Sequence, residues 1–441
     1  MTTSNDGLQV AILGAGMAGL SASFHLGHRD AVLFEAKDYY GGHVYSETED
    51  GFTWDEGPHI SFTTNEYVQD LFAENVGGEY EELDPVATNY FRGNWIEHPA
   101  QTHLYQVPEP LRSQCVNSFL GIADTDHSDP KNYEEWLHQS MGPVFADTFP
   151  AAYTRKYWTT EPRNLDVDWI GIRILRPSIE DVVEGAKGPL DHPTYYVATR
   201  QSRYPSRGGY LAYTHRLAED ATIAFRKRLE RINLGRRWMR FSDGSEERYK
   251  TLISTIPLPT LIAAAEDAPD SVREAVGLLR CTNFLYVLVA ANHPTRREEF
   301  WMYVYDEDKL STRISFTERF SPHNAPPGMT GIQAEVYGSP YRPLPDNHEE
   351  VGSRVVEELI EMGLVDAKEA VKSVRVQYVP TGNVIFDLNR RAALREVEGF
   401  LDRMGVLRAG RYAEWKYLMT DAAVLSGKRV ASRCLEERQR I

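Results

Sequence analysis

The chain has 441 residues, 42% of them apolar, and a formal net charge of −16. That length buries a large core and fits two interleaved domains, while the acidic balance excludes nucleic acid as a partner, because such binding rests on neutralising phosphates with clustered Lys and Arg. Cys115, Cys281 and Cys434 are dispersed and odd in number, without CxxC or Cys/His spacing, and neither a basic-then-apolar leader nor a bilayer-length segment occurs, so a metal-free, cytoplasmic protein with reduced thiols is expected.

Gln9 to Leu13 is a short apolar run with β-branched members, fit for a buried parallel strand, and it stops at a glycine cluster. Gly14 permits a tight turn, Gly16 lets the backbone approach a pyrophosphate, and Gly19 lets the next helix lie close on the strand. That helix starts near Ala15, so the N–H groups of its first turn, at Met17 and Ala18, point at the phosphates. It ends at Gly27 and His28. A second strand, Ala31 to Phe34, leads to Glu35 and Ala36; Glu35 stands twenty-one residues past Gly14, the place of a carboxylate that accepts hydrogen bonds from a ribose diol.

Asp38-Tyr39-Tyr40-Gly41-Gly42-His43 follows, where a nicotinamide-dependent dehydrogenase would begin another helix. Here the chain resembles the FAD-binding branch of the Rossmann proteins, in which this glycine pair approaches the cofactor pyrophosphate from the other side. Taken alone, the pair is equally a turn.

Beyond Phe52 aromatic residues crowd around prolines and glycines. Asn89 to Pro99 reads as a hairpin turning at Gly93-Asn94, with no chemistry attached, and the polar stretch Asp124 to Lys131 reads as an exposed loop. Thr251 to Ile256 is a buried strand leading to Pro257. Ser271 to Leu279 is helical, and strands are expected at Phe284–Ala291, Phe300–Tyr305, Arg313–Phe316 and Ile332–Tyr337. A helix from His348 to Met362 carries Val351, Val355, Val356, Leu359 and Ile360 near helical spacing, and a last helix, Asp421 to Arg433, packs back on the nucleotide unit. The resulting fold class is α/β: a Rossmann-like FAD-binding domain from segments 1–100, 203–275 and 380–441, with a mixed α+β substrate domain from 101–202 and 276–379 interleaved.

At Gly57-Pro58-His59-Ile60-Ser61-Phe62-Thr63, followed by Asn65-Glu66, the chain resembles the UDP-galactopyranose mutases. The likeness recurs at Tyr153 to Trp158, at Arg173-Ile174-Leu175-Arg176, at Pro205 to Tyr210, at Thr312-Arg313-Ile314 and at Gly410 to Asp421, in the family's order and over most of the chain. The wider superfamily includes protoporphyrinogen oxidase, the amine oxidases and the Rab GDP-dissociation inhibitors. The resemblance implies that Gly57, Pro58, His59 and Ile60 border the flavin ring, and that Gly410, Arg411 and Tyr417 form a carboxy-terminal flavin element in which a backbone amide opening the last helix meets a cofactor oxygen. His59 is the catalytic candidate, and as a residue type it is equally a hydrogen-bonded core histidine. Arg176, Arg313 and Tyr417 match groups that hold the substrate diphosphate, Trp158 matches a wall of the sugar pocket, and Tyr210 joins the substrate set; an arginine fork suits phosphate oxygens, although arginines here also have an acidic surface to pair with.

Two departures stand out: Phe62 replaces a second histidine beside the flavin, and Met419 replaces an aspartate near the substrate. The leading expectation is a FAD-dependent enzyme acting on a nucleotide-sugar, pyranose/furanose isomerisation through N5 of a reduced flavin, with an external reductant and an oligomeric state both open. The alternatives are a protoporphyrinogen or amine oxidase type of oxidoreductase, in which N5 accepts a hydride, and a non-catalytic binding protein like the GDP-dissociation inhibitors. No HExxH, GxSxG or GxxxxGK[ST] signature points elsewhere.

Overall fold

The computed structural model describes residues 7–28, 30–122, 129–171, 173–192, 194 and 201–439, with side chains to 437. The expected loop at 124–131 falls largely outside them.

The apolar run Leu8–Leu13 forms the centre of a parallel sheet, flanked by Ala31–Phe34 on one side and Glu246–Ser254 on the other, with Val10 opposite both Ala31 and Thr251. Ile223–Ala224 and Val406–Arg408 complete the parallel part, and all five strands bring their carboxy ends to one edge. In open α/β sheets that edge is where ligands bind. The outer half of Glu246–Ser254 pairs instead with an antiparallel meander, Leu229–Asn233 and Trp238–Phe241. Val10, Ala11, Ile12 and Leu33 are wholly buried because both faces of these strands are covered, the Val10 face by helices and the Ala11 face by a cluster that includes Met239 and Phe241 of the meander.

One covering layer is the helix Met17–His25, which packs against the final helix, Thr420–Gln439. Their closeness depends on glycine: a Cβ on Gly427 would lie 2.4 Å from the carbonyl oxygen of Ala18.

A second seven-stranded sheet runs in the order Val371–Val379, Asn283–Ala291, Thr330–Gly338, Arg313–Phe316, Trp301–Val304, Ala87–Phe91, Asn94–Glu97. The helix His348–Glu361 covers one face of its edge, and Thr330–Gly338 is buried along its whole length. The hairpin at 89–99 is present, turning at Gly93 with φ of 79°, but it belongs to this sheet: Ala87–Phe91 pairs in parallel with Trp301–Val304. The expected boundary at residue 100 is therefore corrected. The chain leaves the nucleotide sheet before Ala87, drawn across by strand pairing that local sequence does not reveal.

The helices Leu111–Leu120, Tyr133–Met141, Pro143–Thr148 and Pro150–Tyr157 make a third layer over the mouth of the crevice. A buried lysine ties this layer to the second sheet. Lys156 Nζ donates to the carbonyls of Val304, Asp306 and Ser311 at 2.9, 2.8 and 2.7 Å, using all three ammonium protons.

Candidate active site

The first turn of Met17–His25 has Gly16 as its N-cap, with no side chain capping it and no acidic residue in it. Its N–H groups are thus left for a ligand, and the positive end of the helix dipole faces the same way. Gly14 turns the chain with φ of 94°, and a Cβ on Gly19 would sit 2.1 Å from the Gly14 carbonyl oxygen, so the helix abuts the strand end. The second glycine pair closes the nest. Gly41 N donates to the Ala15 carbonyl at 2.9 Å, and Gly42 lies so close that its Cβ would stand 3.1 Å from Gly16 Cα. Glu35 reaches back to this turn: its Oε2 accepts from Ala15 N and its Oε1 from Lys37 N, each at 2.9 Å. Each oxygen retains acceptor capacity for a diol.

Gly14, Gly16, Met17, Ala18 and Glu35 line one end of a cavity of about 940 Å³, at the upper end of the range for ligand sites. Gly41, Gly42 and His43 continue its wall, followed by Gly57, Pro58, His59 and Ile60. Trp158, Arg176, Arg313, Gly410, Arg411 and Tyr417 line the same cavity farther along. The sequence-derived candidates thus converge on one space, with three exceptions. Gly19 and Ala36 are not on its wall, Gly19 serving helix packing. Tyr210 lies in the layer behind: it is fully buried, its ring centroid is 5.1 Å from that of His59, and its hydroxyl pairs with Thr420 Oγ1 at 2.8 Å. In this position it backs the His59 loop. The last helix opens at Thr420, and the Gly410 amide donates to Ser426 Oγ at 3.0 Å, so that amide is spent within the protein.

His43 and Lys37 share Glu56, with His43 Nδ1 at 2.9 Å from Oε1 and Lys37 Nζ at 3.2 Å from Oε2. Burial pushes Glu56 up, yet these two partners outweigh it and hold the carboxyl below its usual range. His59 Nδ1 donates to the Gly57 carbonyl at 2.6 Å, since a carbonyl only accepts, which leaves Nε2 as the acceptor atom of a neutral ring. Burial pulls its pKa down to about 3. Beneath the loop, burial pushes Asp55 up to about 6, opposed by hydrogen bonds from Ser46, Tyr204 and the Tyr210 amide.

The far part of the cavity is cationic and phenolic. Arg313 binds Glu335 at two points, Nε to Oε2 at 3.0 Å and Nη2 to Oε1 at 2.6 Å, and Glu335 also accepts from the hydroxyls of Tyr286 and Tyr337. Arg173 donates to the carbonyls of Trp169 and Tyr417 and stacks 4.5 Å from the Tyr417 ring centroid. Arg411 lies 4.9 Å from the same centroid while donating to the Leu418 carbonyl. Arg176 is exposed at the rim. Sequence reasoning missed Glu335, Tyr286, Tyr337 and Tyr157 as site residues. Arg173, three residues before Arg176 in the same motif, lies on the cavity wall with it. Phe62 and Met419 both line the cavity.

Residues 17–435 match the family described as flavin containing amine oxidoreductase. The chain belongs to that family. The glycine nest, the uncapped helix end and Glu35 fit the family's cofactor, FAD. Among solved structures, this family member is similar to reduced UDP-galactopyranose mutase, with a TM-score of 0.91, 22% identity and coverage of 97% of this chain and 95% of that one. It is also similar to a redesigned putrescine oxidase, with a TM-score of 0.63, 14% identity and coverage of 97% and 99%. Among curated proteins, it is 44% identical over 71 residues to the 15-cis-phytoene desaturase of Glycine max, covering 15% of this chain and 12% of that enzyme. Against protoporphyrinogen oxidase 1 of Arabidopsis thaliana the figures are 25% over 171 residues, 35% and 31%. The matched stretches therefore span less than a third of either curated relative. No helix among the described residues is long and apolar enough to cross a membrane.

Proposed function

We propose that this flavin-dependent family member acts on a nucleotide-sugar, interconverting pyranose and furanose forms. The observation that carries the reading is the convergence of Arg173, Arg313 and Arg411 on the part of the cavity beyond the nucleotide nest, with Arg176 at its rim. Several guanidiniums in one half-closed cavity suit a doubly charged diphosphate.

FAD, once bound and reduced, supplies a nucleophilic N5 atom and returns the electrons it lends, so an external reductant is needed only to prime it. The protein's own contribution is placement. Arg313 and Arg176 hold the diphosphate, Tyr417 donates to it, and Trp158 offers an indole face to the sugar or base. His59 stays neutral and presents Nε2 as an acceptor near the reacting end.

A second reading, hydride transfer to the flavin from an oxidisable substrate, is supported by Phe62 and Met419, two side chains of the cavity wall that can neither give nor take a proton. Two measurements separate the readings. Thermal-shift screening against UDP-, GDP-, CDP- and dTDP-sugars identifies a ligand that raises the melting point. With that ligand, the mutase reading requires activity only after dithionite reduction and return of an isomer; anaerobic bleaching of the oxidised flavin band by substrate overturns it in favour of the oxidoreductase.

A further inference from the structure

The glycine nest is short of positive charge for a pyrophosphate. Gly14, Gly16, Met17 and Ala18 line one side, Gly41, Gly42, His43 and Val44 the other, and Glu35 adds a negative charge. None of these is a lysine or an arginine, so His43 is the member of the set that can become a cation.

Its ring is held in place by a buried carboxylate. His43 lies in the short turn Gly42–Val44, directly behind the second glycine pair, and the Glu56 amide donates to the Tyr45 carbonyl just beyond it at 2.8 Å. The Glu56 side chain is 4% exposed and that of His43 30%. Glu56 is held ionised and can only accept, so the proton in the 2.9 Å contact belongs to Nδ1. Among the described residues, none bonds Nε2. A neutral ring with its proton on Nδ1 presents Nε2 as a bare acceptor, which a phosphate oxygen repels; only the imidazolium donates from both nitrogens.

We propose that His43 takes up a proton as the cofactor binds and, backed by Glu56, donates from Nε2 to a pyrophosphate oxygen of FAD. One N–H bond forms at Nε2 on a proton drawn from the buffer, that proton returns when the cofactor leaves, and nothing is oxidised or reduced. Glu56 is a positioning residue. With Lys37 on its other oxygen, the cluster is neutral before the proton arrives and carries one positive charge afterwards, which suits an anion. The inference rests on the family's cofactor and is independent of the substrate reading.

The groups around His43 leave the range between about pH 6 and 9 to its imidazole. Glu56 is held below its usual range by partners that outweigh burial, and burial pulls His59 down to about 3. Burial pushes the phenols of Tyr39, Tyr45, Tyr286 and Tyr412 up, while Lys37 and Arg411 end above their ordinary values despite burial. Glu35 and Asp421 on the same wall, and Asp55 beneath it, are common to wild type and variants and cancel in the comparison.

The test titrates apoprotein with FAD by calorimetry at pH 6, 7.5 and 9, each in two buffers of different ionisation enthalpy. Wild type binds about 10-fold or more weakly at pH 9 than at pH 6, with net proton uptake on binding within that range. His43→Gln, whose amide donates without charge, binds equally at all three pH values and takes up no proton; His43→Arg, charged throughout, binds tightly at all three. The same pH dependence in wild type and His43→Gln overturns the proposal and leaves the cofactor assignment standing, whereas apoprotein that binds no FAD at any pH overturns both. Should a variant fail to fold, wild type decides alone: binding without proton uptake at every pH overturns the proposal.

Discussion

Glu335 grips Arg313 by both Nε and Nη2 from the middle of a fully buried strand, leaving Nη1 as the arginine's nitrogen outside that pair. The carboxylate therefore sets the orientation of the guanidinium on the cavity wall. Glu335→Gln keeps the shape and removes the charge. Breaking one side of a buried pair costs about 3 kcal/mol or more, because the surviving charge stays desolvated. Urea denaturation should show that loss, and Arg313→Met combined with Glu335→Gln should recover part of it; a double variant no more stable than Glu335→Gln alone would show that the pair is not the source of the cost.

Gly16 and Gly19 differ in what they make room for. A Cβ on Gly16 meets only ordinary contacts, at 3.7 Å and beyond, whereas one on Gly19 runs into the Gly14 carbonyl oxygen at 2.1 Å. Gly16→Ala is expected to leave the apoprotein's melting point unchanged while weakening FAD retention about 10-fold or more, read as lost absorbance after gel filtration. Gly19→Ala is expected to lower the apoprotein's melting point itself.

Acid stability should carry the signature of His59. Its folded pKa, near 3, lies below the unfolded value of about 6.5, so its stabilising contribution is complete above pH 6.5 and is lost as pH falls toward 3. Asp55, raised to about 6, has the opposite sign: the stability linked to it is complete below about pH 4 and is lost as pH rises through 6. Comparing wild type with His59→Gln cancels Asp55, which both share. Between about pH 7.5 and 5, wild type should lose about 2 kcal/mol more than the variant in urea titrations. Parallel pH profiles would refute the assignment.

Lys156 satisfies three carbonyls that no other described side chain reaches. Lys156→Met should cost about 3 kcal/mol or more, since the buried acceptors lose their donors. Hydrogen exchange should locate the loosening where Pro150–Tyr157 meets Trp301–Val304, with the nucleotide sheet unaffected.

The nucleotide nest was legible because its chemistry is local. Gly14, Gly16, Gly19 and Glu35 all act within one βαβ unit, and their spacing expresses close approach directly. The strands Arg313–Phe316 and Asn283–Ala291 were legible to within a residue for the same reason, an apolar run needing no distant partner to be recognised. Glu335 was not. It sits amid buried residues of Thr330–Gly338, and its role exists only because Arg313 and Tyr286 arrive from other strands to join Tyr337 of its own. Arg173 is positioned through Tyr417, 244 residues away, and a Gly-Gly-Tyr island does not say that the Tyr210 ring backs the His59 loop. The helical layer from 111 to 157 went unread, its aromatic residues packing against several elements at once and leaving no single periodic stripe.

The helix Thr420–Gln439 supplies part of the cavity wall through Thr420, Asp421 and Ala423, and its Gly427 seats it on Met17–His25. These two helices are separated by about 400 residues of chain. During biosynthesis, the glycine turns emerge from the ribosome long before their lid is made. The crevice is consequently incomplete until the final helix has been made, and a nascent polypeptide stalled ahead of residue 420 lacks that part of its wall.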